Sequence, residues 1–206
     1  MTALCFRLGS LNVNGCKDAF RLHQVLSFCW KENLGVAFLQ ETHTTQEAAF
    51  RWENQWQGLT FFSHLTDTTC GVAFVFSPSV KPEILVVNEV SLGCLLLVKV
   101  RFEDFVVNFI NIYAPCVGAA RVRFFNHMRR FMLTLSGDEC VILGGDFNCT
   151  LNPSLGLVNS RTVLLLRRRR LGPYSVQSID WYCLSSLLGY WAQNLLLRYY
   201  NKWQHC

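Results

Sequence analysis

The sequence predicts an α/β protein built from sheet layers covered by helices. Three observations carry that prediction. Apolar residues recur at the helical period in two separate stretches, 18–33 and 119–135. Between them lie several β-branched and aromatic runs broken by turn residues. Each helical stretch also passes into a short apolar strand, an order that suits sheets covered by helices.

Residues 4–13 read as a strand ending in a polar turn at Asn14-Gly15. In helix 18–33, Leu22, Val25, Leu26 and Cys29 form the apolar stripe. GVAFLQ, residues 35–40, is a short buried strand. Thr44 and Glu47 have the spacing of a capping box, opening a helix that carries Ala48, Trp52 and Trp56. The middle strands are 59–64, 70–77, 83–88, 94–102 and 105–113. In helix 119–135 the expected inward face is Val122, Phe125, Met128, Met132 and Leu135, and strand 140–144 follows. After about residue 156 the character changes, and RTVLLLRRRRLG at 161–172 shows no period of either kind. The chain therefore divides into an α/β core over 1–156 and a basic, Leu-rich region over 157–206.

Length and composition allow a sizeable core: 206 residues, 51% hydrophobic and only 16% charged, below the usual quarter or so. The net charge of +5 is local. Seven Lys/Arg against one acidic residue lie from Arg161 onward, while residues 1–160 carry 12 basic and 13 acidic groups. Whole-chain charge is thus a weak argument for a nucleic-acid partner. The ten cysteines include no C-x-x-C pair and mostly fall in apolar runs, so reduced, buried thiols of an intracellular protein are expected. No basic start leads into a long apolar stretch, so no signal peptide is expected. Without secretion, the Asn148-Cys149-Thr150 match to a glycosylation acceptor is chance. The uncharged run 181–197 is shorter than the roughly 20 apolar residues of a membrane span, and no membrane partner is expected.

Several apolar strands stop on polar side chains. The first ends at Asn12 and Asn14, the second at Gln40-Glu41, strand 105–113 at Tyr113, and strand 140–144 at Asp146 and Asn148. Ligands in layered α/β folds gather where strand-end loops meet. Carboxylate, amide and water oxygens suit a hard cation such as Mg²⁺, with Mn²⁺ as an alternative. An Asp can activate a water, while Asn and Tyr hold phosphoryl oxygens, so the set points to phosphodiester hydrolysis. Taken singly, each residue reads as an ordinary turn or rim position, and the combination carries the reading.

With these motifs the chain resembles the endonuclease/exonuclease/phosphatase superfamily, and within it the apurinic-type endonuclease domain of non-LTR retrotransposons. The resemblance rests on LNVNG (11–15), LQETH (39–43), GVAFVF (71–76), NIYAP (111–115) and GGDFNCTLNP (144–153), in the family's order. It implies a four-layer α/β/β/α sandwich and Mg²⁺-dependent nicking of DNA in the nucleus. It also implies roles: Glu41 and Asn12 for the metal, Asp146 for the water, Tyr113 and Asn148 for the phosphate. His43 and Asn14 stand behind these residues. Asp180, in SIDWYCLSSLL at 178–188, matches the aspartate that orients the family's histidine, and a family strand is expected near 178–184.

The resemblance then breaks. The interval from Asn148 to Asp180 is shorter than in the family, and the closing Ser-Asp-His is not reproduced by Gln204-His205-Cys206. The expected consequence is a shortened domain with an incomplete second sheet, an open edge unless a partner completes it, and reduced or absent activity. Two alternatives follow. One is a non-catalytic or unstable remnant that binds nucleic acid through Arg167, Arg168, Arg169 and Arg170. The other is a phosphatase-type relative acting on a small phosphate ester.

Overall fold

The structure is a computed structural model. It describes residues 6–103, 105–135 and 139–148, together with the backbone of 161–166. Among these residues, nine strands form two sheets, and three α-helices lie on their outer faces. The first sheet has the order β1-β2-β4-β3, from β1 (Arg7–Asn12), β2 (Leu34–Gln40), β3 (Thr60–Ser63) and β4 (Val72–Phe76). The second has the order β5-β6-β7-β8-β9, from β5 (Glu83–Ser91), β6 (Leu95–Phe102), β7 (Phe105–Tyr113), β8 (Cys140–Asp146) and β9 (Arg161–Leu166). The helices are α1 (Ala19–Lys31), α2 (Ala49–Gln55) and α3 (Gly118–Met132).

Alternation along the strands produces the four layers. Successive side chains of a strand point to opposite faces. In β2, Val36 and Phe38 face the second sheet, while Ala37 and Leu39 face α1 and α2. In β4, Val72, Phe74 and Phe76 face inward and Ala73 and Val75 outward. In the second sheet, Leu96, Val98, Phe109 and Ile142 face inward, and Leu97, Ile110 and Leu143 pack beneath α3. The inter-sheet layer is filled by phenylalanines, with Phe38 and Phe74 at 4.8 Å and Phe76 edge-on to Phe109 at 5.5 Å.

Two polar residues, Asn111 and Gln40, interrupt this layer. Asn111 of β7 is fully buried, and its Nδ2 donates to the carbonyls of Leu39 at 3.0 Å and Ala73 at 2.8 Å. Its Oδ1 accepts from Gln40 Nε2 at 2.8 Å. A single amide thus ties β7 of one sheet to β2 and β4 of the other.

Three expectations are corrected. The capping box does not form: a 3₁₀ turn at Gln46–Ala48 precedes α2, and Thr45 is its cap without a side-chain bond. Thr44 is buried instead, and both its hydroxyl and its carbonyl lie against His64 Nδ1, at 3.2 and 2.9 Å. The face of α3 is also rotated: Phe124 is buried with Met128 and Met132, whereas Val122 is exposed. Residues 161–166, where the sequence shows no period, form β9 and pair antiparallel with β8. The second sheet therefore continues past β8, and it is only partly closed. No helix among the described residues is long and apolar enough to cross a membrane. The run 181–197 and the strand expected near 178–184 lie outside the described residues.

Asn111→Ala should lower the unfolding free energy by several kcal/mol, since each carbonyl left without a donor costs about 1–3 kcal/mol. Denaturant titration checks this. His64 supplies a pH dependence. Burial, the largest cause, holds its pKa below the usual histidine value, with partial compensation from the Thr44 carbonyl. The neutral form is the one the fold accepts, so its contribution is present above the unfolded pKa of about 6.5. It is lost as pH falls through the lower folded value. Unfolding midpoints should drop on acidification below about 6.5, and His64→Phe should flatten that slope.

Candidate active site

Two parallel strand pairs create the site. β1 runs parallel to β2 with Asn12 opposite Gln40, and β7 runs parallel to β8 with Tyr113 opposite Asp146. Each pair therefore delivers two strand ends to one edge. Alternation then selects the face. Asn12 lies four residues beyond inward Leu8, Gln40 two beyond Phe38, Tyr113 four beyond Phe109, and Asp146 four beyond Ile142. All four fall on the inter-sheet side, at the rim of the phenylalanine layer.

The two glycines before Asp146 let β8 come close. A Cβ on Gly144 would meet Phe38 Cδ1 at 2.8 Å. At Gly145 φ is +148°, and a Cβ would collide with the carbonyl oxygen of Ile112 in the paired strand. Glycine at both positions seats Asp146 against the opposite sheet.

Asn12 is the centre of the constellation. Its Nδ2 donates to Glu41 Oε1 at 2.7 Å and to Asp146 Oδ2 at 3.0 Å, joining carboxylates from different sheets. Its Oδ1 accepts from the backbone N–H of Asn14 at 3.1 Å. Burial first, then hydrogen bonding and charge from neighbouring Glu41, push the Tyr113 phenol well above the usual tyrosine range. The phenol is therefore a donor at any physiological pH. His43 Nε2 lies 3.9 Å from Glu41 Oε2. The backbone N–H of Asn148 donates to Asp146 Oδ1 at 3.0 Å, and its Nδ2 donates to the Ala114 carbonyl at 2.6 Å.

The backbone bends sharply around these groups. Asn14, Glu41, His43 and Asn148 all have positive φ, between 46° and 54°. Asparagine tolerates this region; for Glu41 and His43 it is strained, at a cost of about 1–3 kcal/mol each. The strain is held by backbone bonds from Gly15 to the Glu41 carbonyl at 2.7 Å and from His43 to the Cys70 carbonyl at 3.1 Å.

Asn12, Asn14, Glu41, His43, Tyr113, Asp146 and Asn148 are thus brought together, while Asp180 and Arg167–Arg170 lie outside the described residues. Sequence reasoning missed Gln40 and Asn111 as the bridge behind the site. Their signal was available: each is a polar residue at an inward position of an otherwise apolar alternation. It also missed Arg121, whose Nη1 donates to the carbonyls of Asn148 at 2.7 Å and Cys116 at 2.8 Å. A cation in the first turn of a helix opposes the helix dipole, and these two carbonyls offset that.

The donor chemistry is oxygen-based. Among the described residues, no group of three or more His, Cys, Asp or Glu side chains could hold a metal ion. Two carboxylates and an amide oxygen are the donor types a small hard cation takes from a protein when waters and a phosphate complete its shell. The residues present fit such a cation.

Comparison with known proteins agrees with the architecture. The chain is 46% identical over 149 residues to the Transposon TX1 uncharacterized 149 kDa protein of Xenopus laevis, covering 72% of this chain and 11% of that protein. The endonuclease domain of TRAS1, a telomere-specific non-LTR retrotransposon, superposes with a TM-score of 0.54 at 13% identity, covering 70% of this chain and 60% of that one. An AP endonuclease from Archaeoglobus fulgidus gives 0.54 at 19% identity, covering 72% and 59%. At these identities the two structures show a shared fold. The profile of the Endonuclease/Exonuclease/phosphatase family matches residues 9–194. A match over most of the length, on a fold of two sheets between helices, shows that the chain belongs to the Endonuclease/Exonuclease/phosphatase family.

Proposed function

We propose that the chain is a Mg²⁺-dependent DNA endonuclease that hydrolyses a phosphodiester and leaves a 3′-hydroxyl. The observation that carries this reading is the bridge from Asn12 Nδ2 to both Glu41 and Asp146. It holds two carboxylates at one rim without merging them into a single site, so each can serve a different task.

Glu41 and the Asn12 amide oxygen would hold the cation, which when bound supplies charge stabilisation at a phosphoryl oxygen. Asp146 accepts the proton of the attacking water and orients it toward phosphorus. The backbone N–H of Asn148 already donates to Asp146 Oδ1, which fixes the carboxylate plane for that task. Tyr113 remains protonated and offers its phenol as a donor at the phosphate, beside Asn148. His43 and Asn14 keep Glu41 and Asn12 in place. Asp180 matches the aspartate that orients the family's histidine, and without that histidine it contributes little, so the rate is expected to be reduced. Support for DNA as the substrate comes from family membership and from the wording of the LQETH and GGDFNC motifs.

Purified, cooperatively folding protein should nick supercoiled plasmid with Mg²⁺ and not with EDTA. Glu41→Ala and Asp146→Ala should each lower the rate by about 10²–10⁴-fold, the usual worth of a positioned acid–base or metal-holding group. A folded protein without nicking, or nicking that survives both substitutions, would overturn the assignment. Parallel assays on a small phosphate monoester address substrate class: DNA should be cleaved at least about tenfold faster, a preference worth about 1.4 kcal/mol. The reverse order would identify a phosphatase-type member.

A further inference from the structure

Two thiols lie directly behind the site without belonging to it. Cys70 precedes β4 and Cys94 precedes β6. The backbone N–H of Gly71 donates to the Gly93 carbonyl at 3.0 Å, so the two cysteines flank one shared hydrogen bond. Their thiols lie close enough for each to act on the other's titration. Both are half-buried and unbridged. A disulfide spans about 4.4–6.8 Å between Cα atoms, and the 3.0 Å bond between the adjoining peptide units brings Cys70 and Cys94 side by side.

Each of these residues also holds a site residue. The Cys70 carbonyl accepts from His43 N at 3.1 Å, and the Cys94 carbonyl accepts from Tyr113 N at 2.8 Å. A third thiol, Cys116, is exposed nearby, close enough for its charge to act on Cys70 and Tyr113.

We propose that Cys70 and Cys94 are an oxidisable dithiol, a site of reversible disulfide formation that takes small-molecule disulfides as oxidant. The bond would staple the two loops that back His43 and Tyr113. Cys70 sulfur attacks one sulfur of the oxidant and releases one thiolate, leaving a mixed disulfide. Cys94 sulfur then attacks Cys70 sulfur and releases the second. Two protein thiols are oxidised, the small disulfide is reduced to two thiols, and the two protein protons end on them. Burial pushes Cys94 up to about 12 and raises Cys70 as well. The attacking species is the thiolate, a minor form of each, so each sulfur gives up its proton to the thiolate it releases and the exchange is slow.

The test treats the folded full chain with oxidised glutathione, alkylates the remaining thiols and maps the peptides. The dithiol does not depend on the reaction proposed above, because the readout is covalent. The expected result is loss of both free thiols in a Cys70–Cys94-linked product that does not include Cys116, and complete reversal by dithiothreitol. Cys116→Ser should leave the link unchanged, and Cys94→Ala should instead carry glutathione on Cys70. If Cys94→Ala does not fold, the map of the unsubstituted chain decides alone. Cys70 and Cys94 alkylated as freely as before, a link through another cysteine, or glutathione adducts with no internal bond would overturn the proposal.

Discussion

The amide of Asn111 fixes how the two sheets meet. Apolar packing is non-directional, and a layer of phenylalanines alone would hold two sheets together without specifying their offset. Asn111 adds direction. Its two donors reach the carbonyls of Leu39 and Ala73, and its acceptor takes the Gln40 amide, so β7 can dock on β2 and β4 in one position only. A buried polar group of this kind is stabilising only when every valence is met, which makes the offset all-or-none. Everything at the rim inherits that offset, because Glu41 follows Gln40 directly and Tyr113 follows Asn111 by two residues.

The rim then manages a concentration of negative charge. A neutral amide from Asn12 stands between the two carboxylates and donates to both. The left-handed backbone at Glu41 and His43 is the local cost, and it is borne by loops that the paired strands hold on both sides.

Much of this was legible in the sequence, and the parts that were not share a cause. Strand alternation and the polar strand ends gave the layers and the rim, because both are local patterns read on one segment at a time. The burial of Phe124 in place of Val122 was not local: apolar residues on two sides of α3 leave two stripes open, and the sheet beneath chooses between them. Thr44 offered a capping signature, but His64, twenty residues on, claimed it. β9 has no alternation to read, and its strand character comes from the vacant side of β8. Gln40 and Asn111 were visible as polar residues at inward positions, yet their meaning required knowing that those positions face each other.

The bond between Asn12 and Asp146 closes a sequence separation of 134 residues. Contacts of such range form late, since loop closure must precede any reward from them. On a chain emerging from the ribosome, Glu41 and Asn12 are made long before β7 and β8 exist to complete the rim. A growing chain cannot carry this constellation in part, so whatever chemistry it performs begins only when both sheets have closed on each other.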